Sequence, residues 1–208
     1  MSSANQSNKS PHFSTPSVQA GLGTNPLNQQ RWNEVLHDGH SVLIREIRKD
    51  DVELERRFIE RLSPTSRRFR FLGTLVSPSD TLLRQLVAVD PTRDVALIAL
   101  IGEGAEQSEI GVARLSMEGD ETCEFAVTVS DEWQHKGLGT LLMQHLINSA
   151  VERGIKSMHS FDAADNEHMR EFAAHLGFKR VPDPDDGTRV VHSLELPAIG
   201  DQTVVTSA

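Results

Sequence analysis

Tyrosine is absent from this 208-residue chain, cysteine occurs once, and aromatic residues make up 5% of it. A lone Cys123 excludes an intramolecular disulfide framework and agrees with a reducing compartment, so the expected location is the cytoplasm. No apolar run approaches the ~20 residues that cross a bilayer, and the first thirty residues lack the layout of a secretory signal. No membrane partner is expected. Basic residues are also in short supply: 21 Lys and Arg face 30 Asp and Glu, for a formal net charge of -9. That balance speaks against general nucleic-acid binding. An acidic surface suits a cationic partner, or serves solubility alone.

What remains is the composition of a globular chain, 38% hydrophobic and 25% charged, long enough for one substantial core. Residues 1–30 are rich in Ser, Asn, Gln, Gly and Pro and read as a disordered tail, with 197–208 as a shorter flexible one. The domain expected between them spans 31–196. SVLIREI reads as a first strand. Three helices follow: one with helical spacing of Val52, Leu54, Phe58, Ile59 and Leu62, capped by Asp50 or Asp51; one from Pro64 to Gly73; and one capped by Ser79 or Asp80. VALIALIGE, EIGVARLSMEG and TCEFAVTVS read as a meander joined by hairpin turns. Leu138, Leu142, Leu146 and Ala150 mark an amphipathic helix that ends at Gly154. Then come the strand SMHSFDA, a helix capped by Asp165 or Asn166 and closed by Gly177, and a terminal hairpin. The expectation is a mixed α/β domain with an antiparallel half, about six or seven strands and one crossover.

The stretch QHKGLG lies where TCEFAVTVS hands over to that amphipathic helix. A strand-to-helix turn with glycines exposes unpaired N–H groups at the positive end of a helix, which suits phosphate. A dinucleotide fingerprint needs a third glycine where Leu142 stands, and a P-loop needs Gly-Lys-Ser/Thr after a four-residue gap. Neither is present.

Gln134-x-x-Gly137-x-Gly139 resembles the signature of the GNAT superfamily of acyl-CoA-dependent N-acetyltransferases, and the likeness extends over about residues 41–196. It takes in the following strand, a helix carrying Asn166, and the closing Gly177-Phe178. The resemblance implies a GNAT-type fold and acetyl-CoA as co-substrate. It also implies that the turn's amides cradle the pyrophosphate, so that Gln134, Lys136, Gly137, Leu138, Gly139 and Thr140 line that site, with Asn166 nearby. Val127 and Val129 would offer backbone groups to the pantetheine arm.

Amine acetylation needs a neutral nucleophile, so a base must take the ammonium proton. Strand alternation puts Cys123, Phe125, Val127 and Val129 on one face and Glu124 on the other. Glu124 is either a solvated strand glutamate or, as resemblance to bacterial protein lysine acetyltransferases implies through Glu-Phe-Ala-Val and LSPTSRRFRFLG, the general base. Many GNAT enzymes place a tyrosine on the last helix to protonate the leaving thiolate. Here that position is Ala173, beside Phe172, so water or another group must serve. His159 and Ser160 could face the acceptor or be structural. His37 and His40 alone are weak metal ligands, and no metal is expected. Cys123 reads as a core residue. Arg67, Arg68 and Arg70 form either a solvated or a substrate-facing edge. The acceptor expected is a protein lysine, with a small amine or polyamine as the alternative, and a non-catalytic acyl-CoA sensor as the reading of another class. Monomer and homodimer both remain open.

Overall fold

The structure, a computed structural model, describes residues 30–73 and 75–198. The tails expected before residue 30 and after 198 lie outside the described residues. In chain order the elements are β1 Arg31–Val35, β2 Ser41–Glu46, α1 Val52–Arg61, α2 Pro64–Phe71, α3 Asp80–Val87, β3 Asp94–Ile101, β4 Ser108–Glu118 and β5 Thr122–Val129. These are followed by α4 Leu138–Glu152, β6 Ser157–Ala163, α5 Glu167–His175, β7 Lys179–Pro182 and β8 Arg189–Glu195.

All eight strands join one sheet in the order β1-β2-β3-β4-β5-β6-β8-β7. Neighbours are antiparallel except β5 and β6, which run parallel because α4 crosses between them. The mixed, mostly antiparallel architecture is the expected one, with two differences. An eighth strand, β1, pairs with β2 from Ser41 to Arg45. Its sequence RWNEV has no apolar alternation to betray it. It is held by distant contacts: Trp32 stacks on His145 of α4 at 4.1 Å, and the Glu34 carboxylate lies 2.8 Å from His145 Nε2. Secondly, β7 and β8 do pair as a hairpin, but β8 inserts between β6 and β7, so α5 makes a second crossover. Nothing in a hairpin's own sequence says which of its strands will meet the sheet.

The sheet has a core on each face. On one, Leu138, Leu142, Met143 and Leu146 of α4 pack over Leu97, Ala113, Leu115 and Phe125. Each fully buried Leu or Phe is worth about 1.5–3 kcal/mol in transfer free energy. On the other face, Phe58 and Ile59 of α1, Leu62 just after it, and Leu83 and Val87 of α3 cover Ala96, Ile98 and Val112. Adjacent strand residues therefore serve different cores, as the two-residue side-chain period requires. Helix ends follow their caps: Ser63, Ser79 and Asn166 accept from the amides of Ser66, Leu82 and Met169. Asp51 sits at the cap of α1 without capping it, because its carboxylate is taken by Arg45 and by the Arg48 amide. Among the described residues no helix is long and apolar enough to cross a membrane.

Candidate active site

Among the described residues, the turn after β5 differs from the helix starts of α2, α3 and α5, which a side chain caps. Gly137, the residue before α4, has φ +89, offers no side chain, and is followed by no acidic residue in the first turn. The first backbone bond of the helix runs from Leu141 N–H to the Gly137 carbonyl at 3.1 Å. The amides from Lys136 to Thr140 thus have no acceptor among the described residues, while the helix dipole makes them a positive end. A Cβ on Gly137 would lie 2.8 Å from His37 Nε2, and one on Gly139 would meet Phe172 at 3.3 Å. This cradle therefore needs glycine on both backbone and packing grounds, and its donors fit the pyrophosphate of a coenzyme.

The other expected residues brace this turn. The Gln134 side-chain amide donates to the Val129 carbonyl at 3.1 Å, tying the loop to the end of β5. Lys136 pairs with Asp38 at 3.1 Å and lies over the Trp133 ring at 4.5 Å. Leu138 is fully buried in the α4 core, and Thr140 is half-buried. Asn166 is engaged at both ends of its amide, accepting from the Met169 amide and donating to Asp162. The β1–β2 turn also reaches the loop, which no sequence pattern foretold. His37 N–H donates to the Lys136 carbonyl at 3.1 Å, and hydrogen bonds from His40, then Lys136, hold the Asp38 carboxyl well below the usual range.

β5 and β6 pair along three residues each, ending at Glu124 opposite His159. Beyond that rung β5 continues to Val129 and β6 to Ala163 without a ladder between them. The parted edges leave the β5 backbone from Phe125 to Val129 open toward β6, with Val127 and Val129 side chains packed against the α4 core. Glu124 is exposed at the closed end of this fork, on the sheet face away from α4. From Glu124 to Val129 is about 16 Å of strand.

On that same face α2 borders the fork. Asp131, just after β5, accepts from the Ser63 amide and from the hydroxyls of Ser63 and Ser66 at 2.7–2.9 Å. Partial burial works against its charge, yet these bonds hold its carboxyl below the ordinary value. A cleft of about 540 Å³ opens between the end of α2 and the end of β6, lined by Arg68, Leu72, Ala163, Asp165, Asp186 and Arg189. Arg68 crosses it to Asp165 at 2.9 Å.

The three arginines separate. Arg67 donates to the carbonyls of Glu60 and Leu62 and is structural; Arg68 faces the cleft. Arg70 lies with Arg114 near Glu55 and Glu109, and burial with the Arg114 charge lowers its pKa to about 10, still protonated at neutral pH. Cys123 is fully buried, and burial followed by the Glu118 charge pushes its thiol up to about 12, which leaves no thiolate for nucleophilic work. His159 lies 3.5 Å from Glu118 on the Glu124 face. Ser160 is buried opposite His192, on the other face. Ala173 is buried in the α4 core, so no group at that position reaches the fork.

The profile of the acetyltransferase (GNAT) family matches residues 78–178, from just before α3 to just past α5. An acetyltransferase of Pseudomonas aeruginosa is 46% identical over 166 residues, which cover 79% of this chain and 89% of that one. Acetyltransferase Pat of Mycolicibacterium smegmatis is 34% identical over 111 residues, 52% of this chain and 33% of that longer protein. Among solved structures, the GNAT domain of S. lividans PAT aligns with a TM-score of 0.74 at 24% identity, over 80% of this chain and 97% of that domain. That last likeness speaks to the fold, whereas identity of 46% across nearly all of a relative speaks to descent: the chain belongs to the GNAT acetyltransferase family.

Proposed function

We propose that the protein is an acetyl-CoA-dependent N-acetyltransferase that modifies lysine side chains of proteins, with Glu124 as general base. The carrying observation is the position of Glu124: exposed, at the closed end of the β5–β6 fork, about 16 Å of strand from the end of β5 that leads into the glycine turn. That span is on the scale of an extended pantetheine arm. Bound acetyl-CoA supplies an activated acyl group and a thiolate leaving group. The protein's part is to hold it, orient the amine and move protons.

The phosphates would rest on the amides from Lys136 to Thr140, and the pantetheine arm would lie along Val127 and Val129. Gln134 and Asn166 hold the two sides of the fork in place. A lysine ammonium, pKa ~10.4, costs about 4.6 kcal/mol to deprotonate at pH 7, and a carboxylate within reach lowers that barrier by accepting the proton as the bond forms. Return of a proton to the thiolate falls to solvent. With a thiol pKa of ~8.5, protonation of the thiolate at pH 7 is downhill by about 2 kcal/mol, so a missing tyrosine is tolerable.

The protein-lysine reading is supported by the open cleft beside α2 and by the resemblance to protein lysine acetyltransferases. A small amine or polyamine is the competing acceptor. The deciding experiment follows free thiol released from acetyl-CoA with lysine peptides, folded proteins, polyamines and amino acids. Preference for protein or peptide lysine is expected. Turnover confined to small amines would overturn the acceptor, and binding without thiol release from any amine would reduce the protein to an acyl-CoA sensor.

A further inference from the structure

Four of the nine histidines, His37, His40, His135 and His168, lie on or against the phosphate turn or across from it. His37 packs on Gly137, and His40 binds Asp38 and meets Trp133 edge-on. The other two have no such explanation. His135 takes φ +61, a left-handed conformation that a non-glycine residue adopts at a cost. The result is that its ring swings toward α5 and stops 5.6 Å from the ring of His168. Both residues are exposed, and neither ring makes a hydrogen bond or ion pair among the described residues.

Their place in the fold gives this approach a meaning. His135 belongs to the loop that continues β5, and His168 to the first turn of the helix that follows β6. Since β5 and β6 part after Glu124, the two rings stand on opposite lips of the fork, at its outer mouth beyond the amide cradle. At 5.6 Å between centres and 58° between planes the two rings share no hydrogen bond, and they are close enough for both to donate to one phosphate group. The neighbouring charges are occupied or of the wrong sign: Lys136 is held by Asp38, Asp165 by Arg68 and Glu167 by Arg170, while Asp131, Glu132 and Glu171 are acidic. A chain with formal charge -9 that binds a polyanion has few spare cations here, and histidine is the residue type that gains charge between pH 5 and 8.

We propose that His135 and His168 form a two-sided clamp for the ribose 3′-phosphate of coenzyme A. The clamp rests on the acetyl-CoA reading and adds to it which side chains grip the cofactor's outer end. It couples binding to proton uptake, because a phosphate dianion between two imidazoles favours their protonated forms.

Calorimetry with coenzyme A and with dephospho-coenzyme A, which lacks the 3′-phosphate, tests this without reference to turnover. The proteins are wild type, His135→Asn, His168→Gln and the double variant. Asparagine tolerates the left-handed backbone, and thermal unfolding checks that each variant is folded. Wild type should bind coenzyme A about tenfold more tightly than the dephospho form at pH 6, the scale of one charge-assisted hydrogen bond, and the gap should shrink at pH 8. The double variant should bind both ligands alike, with dephospho-coenzyme A affinity unchanged. Repeating the titration in buffers of different ionisation heat should show fewer protons taken up by the double variant than by wild type. Variants that weaken both ligands equally, or neither, would overturn the clamp while leaving the coenzyme site standing. Failure of wild type to bind either ligand would overturn the acetyl-CoA reading, and the clamp with it.

Discussion

Under α4 the sheet buries Leu138, Leu142, Met143 and Leu146 against other apolar residues; under α1 and α2 it buries charge as well. There Arg45 and Asp51 make a two-pronged ion pair at 2.7 and 2.8 Å, and Glu55 and Glu109, fully buried, lie near Arg114 and Arg70. The apolar face gains free energy from every methylene removed from water. The ionic face largely spends its Coulomb attraction on desolvation, so its charges add orientation more than stability. The division agrees with the work proposed for each side: α4 presents the glycine turn proposed to hold phosphate, while α1 and α2 lie on the face of Glu124, the proposed acceptor side.

The largest expected effect lies at the edge of the ionic face. Glu124→Gln keeps the size and packing of the side chain but cannot take a proton, and should slow acetyl transfer by about 100- to 10000-fold with acetyl-CoA affinity retained. Steady-state kinetics beside calorimetry decide it; near wild-type turnover would leave Glu124 a surface carboxylate and direct attention to His159, its partner across the last rung. Next is Asp51→Ala, which strands buried Arg45 and frees the Arg48 amide. A loss of about 3–5 kcal/mol in urea unfolding is expected. A loss under 1 kcal/mol would mean that water or another carboxylate rescues Arg45.

On the apolar face, Gly137→Val forces a side chain into a left-handed residue against His37. It should cost about 1–3 kcal/mol of stability, with coenzyme A affinity falling further than stability does. Unchanged affinity in the folded variant would remove the turn as the phosphate site. Glu109→Gln sharpens the comparison through pH. Burial, then the Glu55 charge, raises the Glu109 carboxyl well above its ordinary value. A carboxyl raised in the native state favours folding below its unfolded pKa of ~4.3, and that contribution is lost as pH rises through the native value. Wild-type stability should therefore decline from about pH 4.3 upward. The amide variant should decline less and match or exceed wild type at pH 8; identical slopes would show that another group carries the dependence. Smallest of all, Lys156→Ala breaks an exposed pair with Glu121 and should move stability by less than about 1 kcal/mol.

Much of the molecule obeys short-range rules and was legible beforehand. Alternation sorts β5 into a core side and the side of Glu124, and the apolar stripe of α4 needs only a period of 3.6. The glycine turn needs only the strand before it and the helix after it. What resisted reading was long-range. β1 has no pattern of its own and exists because Trp32 and Glu34 reach His145, 113 and 111 positions away. The left-handed His135 and its approach to His168 carry no signal in a string of letters, and neither does the burial of Glu55, which looks like any helix glutamate.

By itself, then, the order of residues determined the elements other than β1, the caps of α2, α3 and α5, and the glycine turn, since each depends on neighbours within about one helical turn or one strand. The tertiary structure alone decided where β5 and β6 part, that the β1–β2 turn would touch the glycine loop before α4, and which charges would be taken out of water. Those outcomes depend on surfaces assembled from distant segments, and a side chain's burial, partners and protonation are properties of that assembly.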